Sequence, residues 1–365
     1  MQNSYKTIGQ KINDYIISIQ KIKVKEKLIF YRLLSTMINA GIGLVKSMTV
    51  LENQEKNPVF KKMLGVFRDK LKLGQNLSEC IDLYPSSFGI SEVGIIKSGE
   101  KTGKLNEVLL ELAEQIEKVS SISGKIKSAM MYPIFILFVV IGVVGVMMVK
   151  VVPKLLEIFD DESKLPTSTK TLKAVSDFFI NHWYVLILLV IFCYIFTVIW
   201  GKTINGRYNI DKIKLHIPVF GKINQLLILS KFSRIFSGLI SSGISIIESL
   251  KIVSDAVGND VYKQRILLLR EDVKQGIKIW ESLDGDELFP EMMVQMIQVG
   301  EQTAKLDKTI LKVADFYDEQ VDNTISVINK LLEPFIIVLL AIVVGGIAVA
   351  IMEPIMALSD IVSES

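Results

Sequence analysis

The sequence contains few residues of the kinds from which catalytic and metal centres are built. Histidine occurs twice in 365 residues, as His182 and His216, which argues against a histidine-based catalytic or metal site. The two cysteines, Cys80 and Cys193, lie far apart and offer neither a disulfide framework nor a metal motif. A net charge of +3 argues against binding nucleic acid through overall basicity. We therefore expect no catalytic residue, metal or cofactor, and no direct contact with nucleic acid.

The amino terminus also lacks the features of a secretory signal, because lysines interrupt it and no continuous apolar core or small-residue cleavage site follows. Apolar residues recur there at helical spacing among lysines: Ile8, Ile12, Ile16 and Ile19, with Lys6, Lys11 and Lys21. We predict that residues 1–27 form an amphipathic segment on an anionic membrane face. A surface helix packed on its own domain is an equally good alternative.

Long apolar runs, in contrast, are abundant. Half of the residues are hydrophobic and the mean hydropathy is +0.41, yet 22% are charged, which favours polar domains joined by membrane spans. Three runs without charge occupy residues 133–149, 183–200 and 335–352. Because 17 or 18 helical residues span about 26 Å, we predict transmembrane helices at 133–152, 183–200 and 334–353.

The distribution of lysine and arginine predicts the orientation of these helices. Twenty lie before the first span and 17 between the second and third, whereas five lie between the first and second and none after the third. Basic segments stay in the cytoplasm. We therefore place 28–132 and 201–333 in the cytoplasm, and 153–182 and the tail 354–365 on the far side.

The two predicted cytoplasmic regions are copies of one another. FYRLLSTMINAGIGLVKSM begins at Phe30, and FSRIFSGLISSGISIIESL begins at Phe232, an offset of 202 residues. The offset becomes 201 from Phe88 and Phe289 onwards, where GEKTGKL at 99–105 pairs with GEQTAKL at 300–306. Each copy is thus predicted to feed a membrane span, and the second span, which has no counterpart, returns the chain so that both copies share one side.

The stretch GEKTGKL looks like a phosphate-binding loop, but it is one residue short between its glycines and has Leu105 where Ser or Thr is needed. Its copy replaces Gly103 by Ala304 and Lys101 by Gln302, so a phosphate cradle is not what the two copies share. We predict instead a structural helix–turn–helix corner. A shared docking surface is the main alternative, and nucleotide binding is a minor one.

Within this corner, Gly99 is predicted to end one helix in a left-handed conformation, and Thr102 to cap the next helix, with Leu105 turned inward. The corresponding residues of the second copy are Gly300, Thr303 and Leu306.

Apolar periodicity predicts an all-α fold in which each copy is a six-helix bundle that buries its own core. In the first copy the helices are expected near 27–40, 43–55, 58–73, 77–84, 88–98 and from 104 onwards. Turn signals at Gly41-Ile42-Gly43, Asn57-Pro58, Gly74 and Pro85 separate them.

Prolines and small residues mark the membrane helices. Pro133 and Pro334 are predicted to open the first and third spans, and Pro153 and Pro354 to close them. The third span has small residues four apart, which allow close helix approach: Ala341 with Gly345, and Gly346 with Ala350. They are expected to pack on another span of this chain or on a helix of a partner.

Taken together, the motifs resemble one family over residues 28–358. Phe30 and Arg32, the breaks at Gly41 and Gly74, Phe88, GEKTGKL, Tyr132-Pro133 and Val152-Pro153 follow the order of the type II secretion F-protein family, which includes platform proteins of type IV pilus assembly and of competence pseudopili. The second copy departs from the pattern at Ala304, in place of glycine, and at Glu333, in place of tyrosine.

The resemblance implies a multi-pass protein of the bacterial cytoplasmic membrane that oligomerises beneath a growing filament. Family platforms contact a hexameric assembly ATPase, pilin or pseudopilin subunits and other membrane assembly proteins. Motif positions that shape the bundle or contact such a partner are Phe30, Arg32, Gly41, Gly99, Glu100, Gly103, Phe232, Arg234, Gly243, Gly300 and Glu301.

Two other classes of function are less well supported by the sequence. A small oligomeric transporter or channel usually needs ionisable residues within its spans, and these uncharged runs have none. A membrane hydrolase needs a His or Asp in a span to activate a nucleophile, and the runs have neither. A pilus, a secretion pseudopilus and a DNA-uptake pseudopilus would all use the same platform, so the sequence does not choose among them.

Overall fold

A computed structural model describes residues 21–156, 167–201, 203–218 and 220–363. Every regular element in these residues is helical, as the sequence predicts. The predicted amphipathic helix with Ile8, Ile12, Ile16 and Ile19 lies outside the described residues. The chain forms two compact units: one holds the described residues up to Gly124 together with Asp211–Asp322, and the other holds Lys125–Ile210 and the chain from Asn323 onwards.

Six helices begin in the first copy: α1 Val24–Asn39, α2 Leu44–Gln54, α3 Pro58–Lys72, α4 Leu77–Asp82, α5 Ile90–Thr102 and α6 Leu105–Val146. A π-helical segment, Met147–Val151, then leads into α7 Val152–Leu156, and α8 Thr167–Trp200 and α9 Ile204–His216 follow. The second copy contains α10 Phe220–Ser241, α11 Ile246–Ala256, α12 Asp260–Lys274, α13 Ile279–Leu283, α14 Glu291–Gln302 and α15 Leu306–Ser363.

The helix ends confirm the repeat, since α11 and α12 match α2 and α3 residue for residue at the offset of 202. Glycines with positive φ terminate equivalent helices: Gly41 (φ 78°) and Gly74 (φ 83°) in the first copy, Gly243 (φ 82°) and Gly276 (φ 88°) in the second. At each of these turns an amide bonds the carbonyl five residues earlier, the Schellman pattern that satisfies a helix end.

Aromatic side chains fill the core at equivalent positions. Phe30 contacts Phe60 and Phe88, with ring centroids 5.6 and 6.3 Å away, and Phe232 contacts Phe289 at 5.5 Å. The buried apolar residues of both copies belong to one connected cluster. That each copy folds as a separate six-helix bundle therefore stays a prediction.

Two helical stretches are long and apolar enough to cross a membrane: Leu105–Lys154 and Leu306–Gly346. Most side chains of these apolar stretches are not buried in the structure, as expected for helices that face lipid. The predicted second span lies in α8, which has a kink at His182 and whose Ile191–Trp200 part is an apolar helix. A third crossing stays a prediction.

The prolines do not begin or end helices as expected, and that they mark the ends of the membrane spans stays a prediction. Pro133 lies inside α6, and Pro334 and Pro354 lie inside α15, which continues to Ser363. The helix also continues past Pro153, directly after the π-helical segment. The wider π turn before Pro153 leaves room for its ring and its missing N–H, so the chain stays helical there.

Candidate functional site: the repeated corner and the contact between copies

The corner at GEKTGKL ends α5 at Thr102 and starts α6 at Leu105. Gly103 adopts the left-handed conformation with φ 71°, and the Lys104 amide donates to the Gly99 carbonyl over 2.9 Å. In the second copy Ala304 adopts the same conformation with φ 53°. The predicted helix–turn–helix geometry is therefore present in both copies.

The prediction placed the left-handed residue four positions too early. Gly99 lies inside α5, and its role is close packing: a Cβ atom there would stand 3.0 Å from Cβ of Val108. Gly300 lies inside α14, and its Cβ would stand 3.0 Å from Cα of Leu306. Glycine at these positions lets the two helices of the corner approach each other.

The threonines do not cap the following helix either. Thr102 is the last residue of α5, and its hydroxyl donates back to the Ser98 carbonyl at 2.9 Å. Thr303 donates in the same way to the Val299 carbonyl at 2.7 Å. The prediction that the leucine after the corner turns inward is confirmed in the second copy, where Leu306 is buried. In the first copy Leu105 is half-buried against the core.

Glu100 stabilises the start of the short helix α4. Its carboxylate accepts hydrogen bonds from the Leu77 amide at 2.5 Å and from the Ser78 hydroxyl at 2.5 Å. A carboxylate at a helix N-terminus satisfies free N–H groups and interacts favourably with the helix dipole. The corner thereby holds α4 in place.

Glu301 does the same for α13, accepting from the amides of Ile279 at 3.0 Å and Trp280 at 3.2 Å. Each helix N-terminus beside a corner is thus filled by the protein's own carboxylate. The loop lysine, Lys104, is exposed and lies 3.8 Å from the Glu107 carboxylate. The corner has the geometry of a structural clamp, with no anion cradle.

The remaining motif residues also contact other parts of the fold, and their contact with a partner stays a prediction. Phe30 and Phe232 are in the core, and Gly41 and Gly243 occupy left-handed turns. Arg32 and Arg234 each bind an acidic residue on the long helix that follows the corner, Glu117 and Asp318 respectively. Sequence reasoning missed these acids, although they share the offset of 201.

Sequence reasoning also missed two serine hydroxyls, which link α1 to α6 in the first copy and α10 to α15 in the second. Ser35 donates to the Asn106 carbonyl at 2.8 Å, and Ser237 donates to the Asp307 carbonyl at 2.8 Å. The identity of both serines at the offset of 202 was the available signal.

The two copies contact each other through α5 of the first and α10 and α11 of the second. The Ser98 hydroxyl donates to the Ser242 carbonyl, and the Ser241 hydroxyl donates to the Glu111 carboxylate at 3.2 Å. Partial burial raises the pKa of Glu111, which the hydrogen bond from Ser241 offsets in part. Small residues allow the close approach: a Cβ on Gly94 would lie 2.9 Å from Cδ1 of Ile252.

The predicted packing residues of the third span lie on α15. Ala341, Gly345 and Gly346 are exposed, and a Cβ on either glycine would meet nothing within 4 Å. Ala350 lies in the same helix. Their packing on another helix stays a prediction. In the described ranges, no group of three or more His, Cys, Asp and Glu side chains is placed to hold a metal ion.

The repeat is also the repeat of a known family. The family model of the type II secretion system (T2SS) protein F matches residues 30–153 and again residues 232–354. The chain belongs to this family. It is 33% identical over 333 residues to a type IV pilus assembly protein PilC of Thermus thermophilus, covering 91% of this chain and 82% of that protein.

Other relatives are named for type IV pilus assembly and for type II secretion. The chain is 30% identical over 346 residues to the type IV pilus assembly protein TapC of Aeromonas hydrophila, covering 94% of this chain and 83% of that protein. It is 30% identical over 334 residues to a type II secretion system protein F of Vibrio cholerae, covering 91% of this chain and 82% of that protein. Membership in the family is thus established over nearly the whole chain.

Proposed function

We propose that this protein is the cytoplasmic-membrane platform of a type IV pilus or type II secretion-like filament machine. In this role it couples a hexameric cytosolic assembly ATPase to the polymerisation of pilin or pseudopilin subunits. The observation that carries the proposal is the F-protein repeat that covers both halves of the chain, each followed by a long apolar helix. A DNA-uptake pseudopilus is the alternative system.

The proposed topology has three crossings, with the two helical copies in the cytoplasm and residues 153–182 and the tail outside it. The lysine and arginine bias and the two membrane-length helices support this arrangement. The protein itself acts without catalysis, so the work comes from the ATPase and the filament contact from the membrane helices.

Photo-crosslinking in cells tests the partners. Glu100 and Glu301 cap helices, so the probes belong on their exposed neighbours Lys101 and Gln302, with a third probe at the exposed Gly345 of α15. We expect the first two to capture an assembly ATPase and the third to capture a pilin-like protein. A strain without the ATPase gene and an unirradiated sample are the controls.

Two results would overturn the proposal. Capture of only unrelated proteins at all three positions would remove the coupling role. Normal filament assembly in a strain that lacks this protein would do the same, whatever the probes capture.

A further inference from the structure

The contact between the two copies uses a different surface from each copy. We name surface A the α5–α6 face of a copy, which in the first copy consists of Gly94, Ile95, Ser98 and Glu111. We name surface B the helix face that receives it, which in the second copy consists of Gly238, Leu239, Ser241, Ser242 and Ile252. Within the chain, surface A of the first copy binds surface B of the second.

Because the copies are homologous, each copy also carries the other surface. The repeat offsets place surface A of the second copy at Gln295, Met296, Val299 and Lys312. They place surface B of the first copy at Thr36, Met37, Asn39, Ala40 and Val50. A twofold arrangement would bury all four surfaces, whereas a head-to-tail arrangement leaves one A and one B open.

The exposed fractions of equivalent residues in the two copies show which of these two arrangements the chain adopts. Ser98 is 8% exposed, whereas its counterpart Val299 is 48% exposed. On the other side Ser242 is buried, whereas its counterpart Ala40 is exposed. The copies therefore pack head to tail, and one surface of each kind remains open.

We infer that these two open surfaces bind each other between molecules, so that surface A of the second copy docks on surface B of the first copy of another chain. The occupant is a second copy of this protein, because the matching pair already binds within the chain. A head-to-tail contact repeats from molecule to molecule, giving a ring if the rotation closes.

The chemistry of the open surfaces suits such a contact. On the same side of the second copy as Val299, Phe316, the counterpart of Gln115 in the first copy, is 40% exposed. The open surface B is flanked by Ile29 and Leu33, 47% and 38% exposed. Apolar residues clustered on an exposed face mark an interaction site more often than isolated ones do.

The docking between chains is expected to be looser than the contact within the chain. The glycines that allow close approach, Gly94 and Gly238, are replaced by Gln295 and Thr36 on the open surfaces. Larger side chains hold the helices farther apart, so the intermolecular contact rests on Val299 against Ala40, the counterparts of Ser98 and Ser242.

Mixed single-cysteine crosslinking in proteoliposomes tests this pairing. One batch of full-length protein carries Asn39→Cys and another, with a different tag, carries Lys312→Cys; these are the counterparts of the Ser241 and Glu111 contact. Both carry Cys193→Ala. Cys80 is retained, because it is fully buried and burial raises the pKa of its thiol to about 11, which keeps it unreactive.

A short bis-maleimide is expected to join the two differently tagged chains and to give only background dimer with either variant alone. On the Lys312→Cys chain, the additional charge of Val299→Asp is expected to reduce the product about fivefold or more, while Val299→Ile, which keeps the side chain apolar, leaves it nearly unchanged. Filament assembly is not needed for this experiment, so its result is independent of the proposed function.

Three results would overturn the inference. One is equal crosslinking of Asn39→Cys to itself or of Lys312→Cys to itself, which indicates a twofold contact. Another is no product in the mixture while a chain carrying both Glu111→Cys and Ser241→Cys crosslinks internally. The third is a product that Val299→Asp does not reduce.

Discussion

The two copies form the same helices but satisfy their polar groups differently. In the first copy Lys27 donates to Glu92 at 2.7 Å, and the Tyr31 hydroxyl donates to the same carboxylate at 2.7 Å. Burial, together with the nearby Glu92 charge, raises the Tyr31 pKa. In the second copy these positions are Leu229, Met293 and Ser233. The comparison shows that the helix pattern and the glycine turns define the fold, while the polar contacts are replaceable.

The arginine pairs differ in the opposite direction. Arg32 and Glu117 are both 49% exposed, so their ion pair is at the surface. Arg234 is 10% exposed and binds Asp318, 12% exposed, as well as Asp315 at 2.9 Å. Of these ion pairs, the largely buried one thus lies at the start of α1 in the first copy and beside the long helix in the second.

The largest expected effect comes from breaking the first copy's network. Glu92→Met removes the acceptor of the Tyr31 hydroxyl and leaves the largely buried Lys27 ammonium with the Ser87 carbonyl but without a counter-charge, and we expect the free energy of unfolding to fall by about 3 kcal/mol. Thermal unfolding of the purified protein in detergent measures it. Met293→Leu is the matched control, expected to cost about 1 kcal/mol or less.

The double variant Lys27→Leu with Glu92→Met sharpens this comparison, because it gives the first copy the residues of the second at two of the three positions. It is expected to recover the part of the lost stability that comes from the unpaired Lys27 charge. A double variant as unstable as Glu92→Met alone would contradict the view that the network is replaceable.

The next largest effect is a difference in stability between variants of the two arginines. Arg234→Ala leaves the buried Asp318 without its cation and is expected to cost about 2 kcal/mol. Arg32→Ala removes an exposed pair and is expected to cost about 0.5 kcal/mol or less. Urea unfolding of both variants tests the ranking, and equal losses would contradict it.

Removing the corner carboxylates is expected to have a smaller effect. Glu100→Ala frees the N–H groups at the start of α4 and the Ser78 hydroxyl, at a cost of about 1–2 kcal/mol. Glu301→Ala is expected to cost about 1 kcal/mol, because it loses two amide donors only. Proteolysis within α4 or α13 reports the local loosening; wild-type rates in both variants would refute the cap.

The smallest effects come from substitutions at the left-handed residue of each corner, and the two substitutions change the stability in opposite directions. Ala304→Gly removes a side chain from a residue with φ 53° and is expected to stabilise the protein by about 0.5 kcal/mol. Gly103→Ala introduces the same strain in the first copy, where space for the methyl group is available, at about 1 kcal/mol. Melting temperatures that move in the same direction would contradict this assignment.

Much of the fold was predictable from the sequence, because apolar periodicity and glycine or proline breaks are local signals. The boundaries of α2, α3 and α4 lie within two residues of their predicted positions. The left-handed residue was predicted at Gly99 because Gly99 and Gly103, four positions apart, both suit a helix end. Of these two glycines, only Gly103 has a positive φ. The prolines were expected to begin or end helices. An apolar helix nevertheless continues past a proline, which lacks an N–H, when its other hydrogen bonds hold it.

The role of Glu100 and the contact between copies were beyond sequence reasoning. The carboxylate binds a helix that begins 23 residues earlier, a distance that no periodicity encodes. Periodicity shows which helix faces are apolar but not which face meets which. Ser98 and Ser242 are 144 positions apart, and their contact follows from the tertiary packing alone.

The most direct test of the account is crosslinking within single chains in dilute detergent, because head-to-tail packing of the copies underlies both the comparison and the open surfaces. With Cys193 replaced by Ala, Glu111→Cys and Ser241→Cys in one chain are predicted to join through a short bis-maleimide, as identified by peptide mass spectrometry. The equivalent pair, Lys312→Cys with Asn39→Cys, is predicted to give no link within one chain. Intrachain links from both pairs would show a twofold arrangement and contradict the account.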